Sequence, residues 1–103
     1  MDINAHIPTQ TDLNSMAATF KGLSDPSRLH LLAILLTGET NVTDLAEQCE
    51  LSQSAASHQL RVLRNLRFVS ARREGQQVFY RINDEHIQDL MMRAYEHSLH
   101  LNS

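Results

Sequence analysis

NVTDLAEQCELSQSAASHQLRVLRNLRFVSARREGQQVFY, residues 41–80, is the stretch that decides the fold. Asn41 is a predicted N-cap for a short helix over 42–48. Ser52 is a predicted N-cap for a longer helix, after a turn of about three or four residues, the arrangement of a helix-turn-helix. The next residues form two runs rich in β-branched and aromatic side chains, joined by Glu74-Gly75-Gln76. This change of pattern predicts a β-hairpin.

Two further helices are predicted before this stretch and one after it. The first follows from the helical spacing of apolar residues between Leu13 and Leu23. Asp25 is the predicted N-cap of the second, with Pro26 at its first position. Asn83 or Asp84 caps a last helix that runs to about residue 99. The order predicts a mainly α protein with a small β-hairpin, a winged helix-turn-helix.

Length and composition predict one small domain. The polar residues 1–10 indicate a flexible N-terminal arm, which leaves 11–103 as the folded domain. Hydrophobic residues make up 42% of the chain, which is typical of a globular protein and excludes a disordered one. The longest apolar stretch, residues 31–36, is too short to cross a membrane, and no secretory signal is visible. A single cysteine, Cys49, excludes an intrachain disulfide, so we expect a cytoplasmic protein.

Charge is distributed very unevenly along this chain, whose net charge is −3. Between Ser52 and Ile82 there are six arginines and one acidic residue, whereas the rest has three basic and eleven acidic residues. A basic segment within an acidic protein is a local electrostatic signature of nucleic-acid binding. A solvated charged surface without a ligand is the plainer interpretation of charge alone.

The basic segment coincides with the predicted helix-turn-helix and hairpin, which favours DNA as the partner. A recognition helix presents short polar and basic side chains from its N-terminal half to the major groove, and a hairpin can contact the flanking DNA. Serine and glutamine bond base edges or phosphates, and arginine supplies charge or reads guanine. The candidate DNA-binding residues are Gln53, Ser54, Ser57, His58, Arg61 and Arg64 on the helix, and Arg72, Arg73 and Gln76 on the hairpin.

Residues 22–82 resemble the ArsR/SmtB family of metal-responsive repressors. The resemblance is carried by GLSDPSR at 22–28, VTDLA at 42–46, LSQSAASHQL at 51–60 and REGQQVFY at 73–80. It implies a homodimer built through the first and last helices that binds a palindromic operator in double-stranded DNA. Gln59 departs from the family pattern, because many members have a second histidine there. That departure puts the base preference in question.

The last helix carries a candidate metal site formed by Asp84, His86, His97 and His100. At 100° per residue, His97 lies about 20° beyond three turns from His86, and His100 lies about 40° short of four turns, so the imidazoles share a stripe. His86 and His97 are about 16 Å apart along the axis, too far for one ion. Two antiparallel copies of the helix would instead form two identical four-ligand sites suited to Zn²⁺ or Co²⁺.

The same pattern resembles the CzrA-like, zinc- and cobalt-sensing branch of the family. This resemblance implies Zn²⁺ as an allosteric effector that releases the repressor from DNA. Surface histidines without a metal are the plainer interpretation. Two alternatives stay open: a Ni²⁺- or Co²⁺-sensing repressor that recruits His6, and, remotely, a small zinc hydrolase. We expect no enzyme, because four protein ligands leave no open position for water.

The other histidine and the cysteine are not predicted ligands. Cys49 is expected to be a small buried apolar residue, and sites for soft ions need paired thiolates. His30 lies within an apolar helix, where a packed core or interface role is expected.

Overall fold

The computed structural model describes residues 6–102, and within them the predicted order of elements is confirmed. The helices and strands are α1 Gln10–Gly22, α2 Pro26–Leu35, β1 Thr40–Asn41, α3 Val42–Gln48, α4 Gln53–Asn65, β2 Val69–Glu74, β3 Gln77–Ile82 and α5 Glu85–Leu101. One element was not predicted, the two-residue strand β1. None of the described helices is long and apolar enough to span a membrane.

The predicted N-caps are confirmed for the last four helices. Asp25, Asn41, Ser52 and Asp84 each accept a hydrogen bond on a side-chain oxygen from the backbone N–H three residues further along. Such a bond satisfies one of the amides that a helix leaves unpaired at its N-terminus. Local chemistry therefore sets where each of these helices begins.

The N-terminus of α1 lies at the end of the predicted arm over 1–10. Residues 1–5 lie outside the described residues, and the helix begins at Gln10. Thr9 and Asp12 form a capping box: the Thr9 hydroxyl accepts from the Asp12 amide, and the Asp12 carboxylate accepts from the Thr9 amide. This reciprocal pair starts the helix before the first apolar residue of the pattern.

The three strands form an antiparallel sheet in the order β1-β3-β2. A two-residue turn at Gly75-Gln76 joins β2 to β3, and Gly75 has a φ of 62°, which glycine adopts at no steric cost. We call β2, this turn and β3 the wing. On the other side of β3, Thr40 pairs with Tyr80 and Asn41 with Phe79. The wing is therefore joined by backbone pairing to the residues immediately before α3.

The core lies between α2, α3, α4 and the sheet, with one buried residue from α5. It consists of Leu31, Leu32, Leu35, Leu45, Leu60, Leu63, Phe68, Val69, Tyr80 and Ile87. Burying leucine side chains at this density is the main favourable contribution to stability in a chain of this size. The opposite side of α4 remains at the surface, which positions it to contact a ligand.

Helices α1 and α5 keep large apolar side chains in solvent. On α1, Leu13, Met16 and Phe20 are between 45% and 58% exposed, and on α5, Met92, Tyr95 and Leu99 are between 48% and 61% exposed. The only buried residue of α1 is Gly22, at its C-terminal end. Contiguous exposed apolar surface of this kind marks an interaction site.

Candidate nucleic-acid interface and metal centre

Helix α4 presents the predicted DNA-binding side chains on its outer side. Its inner side packs into the core through Ala56, Leu60 and Leu63, which fixes the rotation of the helix. The residues that follow the N-cap are exposed or half-buried: Gln53, Ser54, Ser57, His58, Arg61 and Arg64. The amide nitrogen of Gln53 donates to Thr43 Oγ1 over 3.2 Å, so Gln53 also links α4 to α3.

A basic cleft of about 390 Å³ lies between α4 and the wing. It is lined by Val42, Ser57, Arg61, Arg64, Ala71, Arg72, Arg73, Val78 and Tyr80. Arg61, Arg64 and Arg73 make no ion pair with another residue in the described part of the chain. Their guanidinium groups can therefore bond phosphate oxygens without losing an acidic partner.

Arg72, another predicted DNA-binding residue, is engaged within the protein. Its Nε and Nη2 donate to Glu39 Oε1 over 2.9 and 2.6 Å, and Nη1 donates to Glu74 Oε2 over 2.7 Å. The guanidinium also lies 4.6 Å from the centre of the Phe79 ring. Hydrogen bonding to Arg72 lowers the pKa of Glu39, and the same bonds raise the pKa of Arg72. Sequence reasoning missed Glu39, which is 33 positions away.

Gln59 faces the interior instead of the outer side of α4. It is half-buried, and its Oε1 accepts a hydrogen bond from Arg28 Nη1 over 3.2 Å. Nε of the same guanidinium donates to the carbonyl of Gly22 over 2.7 Å. The side chain that departs from the family pattern therefore joins α4 to α2 and the end of α1.

The four candidate metal ligands lie at the two ends of α5, and all are exposed. Asp84 is the N-cap: its Oδ1 accepts from the Ile87 amide over 3.1 Å and lies 3.8 Å from His86 Nδ1. His97 and His100 are in the last turns of the helix. Within residues 6–102 of one chain, no group of three or more His, Cys, Asp or Glu side chains could hold a metal. The candidate ligands of one chain therefore lie in two separate pairs, at opposite ends of α5.

The donor atoms of these two pairs suit a divalent transition metal. Imidazole nitrogens and a carboxylate oxygen are ordinary zinc ligands, and the side chain of His86 is 92% exposed. The cap bond uses Oδ1 of Asp84, which leaves Oδ2 as the oxygen for a metal. The residues thus fit a metal ion if each pair is completed by a second pair from elsewhere.

The remaining histidines and the cysteine take different positions. His6 is exposed and precedes α1. His30 is exposed in the single chain, which excludes a core role, and lines an apolar groove of about 670 Å³ between α2 and α5. Cys49 is half-buried at the end of α3, and burial raises the pKa of its thiol, as expected for an unreactive cysteine.

Comparison with known proteins identifies the family. Residues 25–71 match the model of bacterial regulatory proteins of the arsR family. The HTH-type transcriptional regulator NmtR of Mycobacterium tuberculosis is 47% identical over 87 residues, which cover 84% of this chain and 72% of that protein. The cadmium resistance transcriptional regulatory protein CadC homologue of Staphylococcus aureus is 42% identical over 83 residues, 80% of this chain and 69% of that protein.

A solved structure agrees with this assignment. The solution structure of a homodimeric winged helix-turn-helix DNA-binding domain from Mycobacterium bovis superimposes with a TM-score of 0.78 at 30% identity, over 89% of this chain and 90% of that one. The predicted winged helix-turn-helix fold is confirmed. The expectation that the chain is not an enzyme is also confirmed, because these relatives are transcription regulators. The chain belongs to the ArsR family of bacterial regulatory proteins, as the motifs in residues 22–82 predicted.

Proposed function

We propose that this protein is a cytoplasmic, homodimeric, metal-responsive repressor that binds a palindromic operator in its metal-free form and is released by Zn²⁺ or Co²⁺. The observation that carries the proposal is the arrangement of α5. Two pairs of exposed metal ligands lie at its ends, on a helix that also exposes large apolar side chains. A helix of this kind can form a dimer interface and a shared metal site at once.

Dimer formation is supported by the uncovered apolar faces of α1 and α5. Both faces carry side chains that a single chain leaves in water, and covering them removes apolar area from solvent. The Mycobacterium bovis relative, of similar length and fold, is described as homodimeric. A two-fold dimer would also present two α4 helices, which matches an operator with two related half-sites.

DNA binding is supported by the outer side of α4 and the basic cleft beside it. In this proposal α4 enters the major groove, where Ser57 and His58 contact bases. Arg61, Arg64 and Arg73 contact phosphates on either side of the cleft. Phosphate contacts position the protein, and base contacts select the sequence.

Metal binding joins the two subunits in this proposal. Asp84 and His86 of one α5 combine with His97 and His100 from the other subunit, and the two-fold symmetry gives two identical sites. Three imidazoles and one carboxylate form a closed set of four ligands, which suits tetrahedral Zn²⁺ or Co²⁺. Because each ion ties both subunits together, its binding favours one spacing of the two α4 helices over others.

The alternative effector is Ni²⁺ or Co²⁺ with six ligands, to which exposed His6 would contribute. The visible spectrum of the Co²⁺ form distinguishes the two. Four protein ligands give a tetrahedral spectrum, whereas recruitment of His6 gives a six-coordinate one that changes in a His6→Ala variant. The donor set of α5 alone favours the tetrahedral site.

The experiment that tests the function is a DNA titration with and without Zn²⁺. An operator is first selected from random duplexes by the purified protein, and binding is then measured by fluorescence anisotropy. We expect zinc to weaken operator binding by about 5- to 150-fold, the usual range of allosteric coupling. The His97→Ala/His100→Ala variant is the control, and its DNA affinity should not respond to zinc. Selection of no duplex, or tighter binding with zinc, contradicts the proposal.

A further inference from the structure

The wing contains an ion cluster that its DNA-binding role does not explain. Arg72 on β2 lies opposite Phe79 on the central strand β3, and Phe79 in turn lies opposite Asn41 on β1. Glu39 immediately precedes β1. The Arg72 side chain therefore crosses the central strand, over the Phe79 ring, to bond a carboxylate at the far edge of the sheet. The two edge strands are about 10 Å apart, twice the spacing of neighbouring strands.

Arg72 uses three of its five N–H donors in this cluster, one on each nitrogen. Nε and both terminal nitrogens donate to carboxylates, and one face of the guanidinium lies on the Phe79 ring. A phosphate that bonded these same N–H groups would have to displace Glu39 or Glu74. The two N–H groups that remain, one on each terminal nitrogen, lie beside these carboxylates, whose negative charge repels a phosphate. With two carboxylates around one guanidinium, the cluster as a whole carries no positive charge to offer DNA.

Arg73 occupies a different position from its neighbour. Successive residues of a strand point to opposite faces, so Arg73 shares the face of Ala71 and is paired across the strands with Val78. This face lines the basic cleft against α4. Both adjacent arginines line the cleft, but only Arg73 has no acidic partner among the described residues, so Arg73 is the one available to contact phosphate.

We infer that Arg72 is a positioning residue: with Glu39 it forms a brace that holds the wing in a fixed orientation relative to the helix-turn-helix. Glu39 is followed by β1 and then directly by α3, so the brace joins the wing to the start of the helix-turn-helix. Arg72 contributes to DNA binding by positioning Arg73 and the turn of the wing. It makes no phosphate contact itself. The inference rests on the proposed DNA-binding function.

The direction in which Glu39→Gln changes the affinity for DNA distinguishes the brace from a phosphate contact. Glu39→Gln removes a negative charge near the DNA, which by charge alone tightens binding. If the brace orients the wing, the same substitution weakens operator binding, by about 3- to 10-fold. The control is Glu47→Gln, an exposed acid on α3 outside this cluster, which should bind as well as wild type or slightly better.

Salt dependence gives the second measurement. Arg73→Gln should reduce the slope of log affinity against log salt by about 0.9, the value for one lost phosphate contact. Arg72→Gln should weaken binding with little change in slope, and Glu39→Gln should have no further effect in the Arg72→Gln background. The inference is overturned if Arg72→Gln reduces the salt slope as much as Arg73→Gln does. It is also overturned if Glu39→Gln binds the operator more tightly than wild type.

A measurement on the free protein keeps the brace testable without DNA. In the Glu39→Gln variant, NMR order parameters of the Gly75 and Gln76 amides should fall relative to wild type, because the wing loses one of its attachments. Unchanged order parameters contradict the brace. If the wild-type protein instead selects no duplex, the proposed function fails, and the order parameters still report on the brace.

Discussion

Gly22, the last residue of α1, lies so close to Leu66 at the end of α4 that a Cβ atom at position 22 would overlap Leu66 Cδ1. The Phe68 ring lies on the same side, 3.0 Å from where that Cβ would be. Nearby, Arg28 donates to the Gly22 carbonyl and to Gln59 of α4. The helix that exposes an apolar face and the helix proposed to read DNA therefore meet where any side chain larger than glycine would require Leu66 to shift.

The first prediction concerns this contact. Gly22→Ala should lower the free energy of unfolding by about 1–2 kcal/mol, because the added methyl group forces the Leu66 side chain and the Phe68 ring to shift. The higher helix propensity of alanine offsets only part of this cost. Position 22 is at the end of the helix, where the stabilisation from that propensity is small. Chemical denaturation of wild type and variant measures the difference.

A double-mutant cycle with Leu66→Ala identifies the cause. Removal of the Leu66 methyl groups makes room for the new Cβ, so the two changes together should cost less than the sum of the single changes. Additive costs, or a Gly22→Ala variant as stable as wild type, would show that the close approach does not matter.

The second prediction separates the two kinds of DNA contact on α4. Arg64→Ala should weaken binding to all duplexes and reduce the salt slope, because a phosphate contact is lost. Ser57→Ala or His58→Ala should instead reduce the preference for the operator over random DNA, by about 1–3 kcal/mol for a lost base contact. Titrations of both duplexes at several salt concentrations measure these effects.

Arg67 supplies a matched control for the arginine. It is exposed, has a φ of 65° just after α4 and does not line the basic cleft. Arg67→Asn tolerates that backbone conformation and removes the same charge. A loss of salt slope equal to that of Arg64→Ala would indicate a general effect of charge and would count against a contact at Arg64.

Local features of this fold could be predicted from the sequence, and distant pairs could not. Each helix after α1 begins where a capping side chain lies three residues before the amide that donates to it, so Asn41 and Asp84 were visible in the sequence. Strand β1 is two residues long and exists only through pairing with β3, which leaves no periodic signal. The Glu39–Arg72 pair depends on that same pairing, so Glu39 could not be foreseen as the partner of Arg72.

The candidate metal site shows a similar division. Helical geometry alone placed His86 and His97 on one stripe and too far apart for a single ion. The use of one Asp84 carboxylate oxygen in a cap bond was also foreseeable, because Asp84 was one of two predicted N-caps for this helix, with Asn83. The proposed second pair of ligands for each ion belongs to the other subunit, which the structure of a single chain does not contain.

The third prediction concerns the titration of Glu39. Arg72 chiefly, and Arg81 more weakly, lower the pKa of this carboxyl below its ordinary value of 4.5, and burial opposes them. Because the folded-state pKa is depressed, the contribution of Glu39 to stability is present above the ordinary value and is lost as pH falls through the folded value. NMR titration of the side-chain carboxyl should give a lower midpoint than an ordinary glutamate.

The Arg72→Gln variant is the control for this titration. It leaves Arg81 and Glu74 in place and removes the main cause of the shift, so the Glu39 midpoint should rise towards its ordinary range. The same midpoint in both proteins would mean that the hydrogen bonds to Arg72 are not formed in solution.

The fourth prediction concerns metal stoichiometry. We expect two Zn²⁺ per dimer, and neither Asp84→Ala/His86→Ala nor His97→Ala/His100→Ala should bind zinc tightly alone. Because each proposed site takes one pair of ligands from each subunit, mixing the two variants should restore one complete site per heterodimer. Isothermal titration of the mixed sample measures this recovery. Intact zinc binding by a monomer, or no recovery on mixing, rules out sites shared between subunits.

The last prediction concerns the coupling of metal to DNA. A ligand imidazole commonly donates its second ring N–H to a carbonyl or carboxylate, and we propose that His97 donates to backbone within 66–68, at the end of α4. A His97 variant that retains zinc through the other three ligands should then remain bound to the operator when zinc binds. Thermodynamic linkage also makes the coupling reciprocal. In wild type, operator DNA must weaken zinc binding by the same factor by which zinc weakens DNA binding. Anisotropy and zinc titrations on the same samples measure both factors, and release of DNA by that variant as in wild type would exclude His97 as the link.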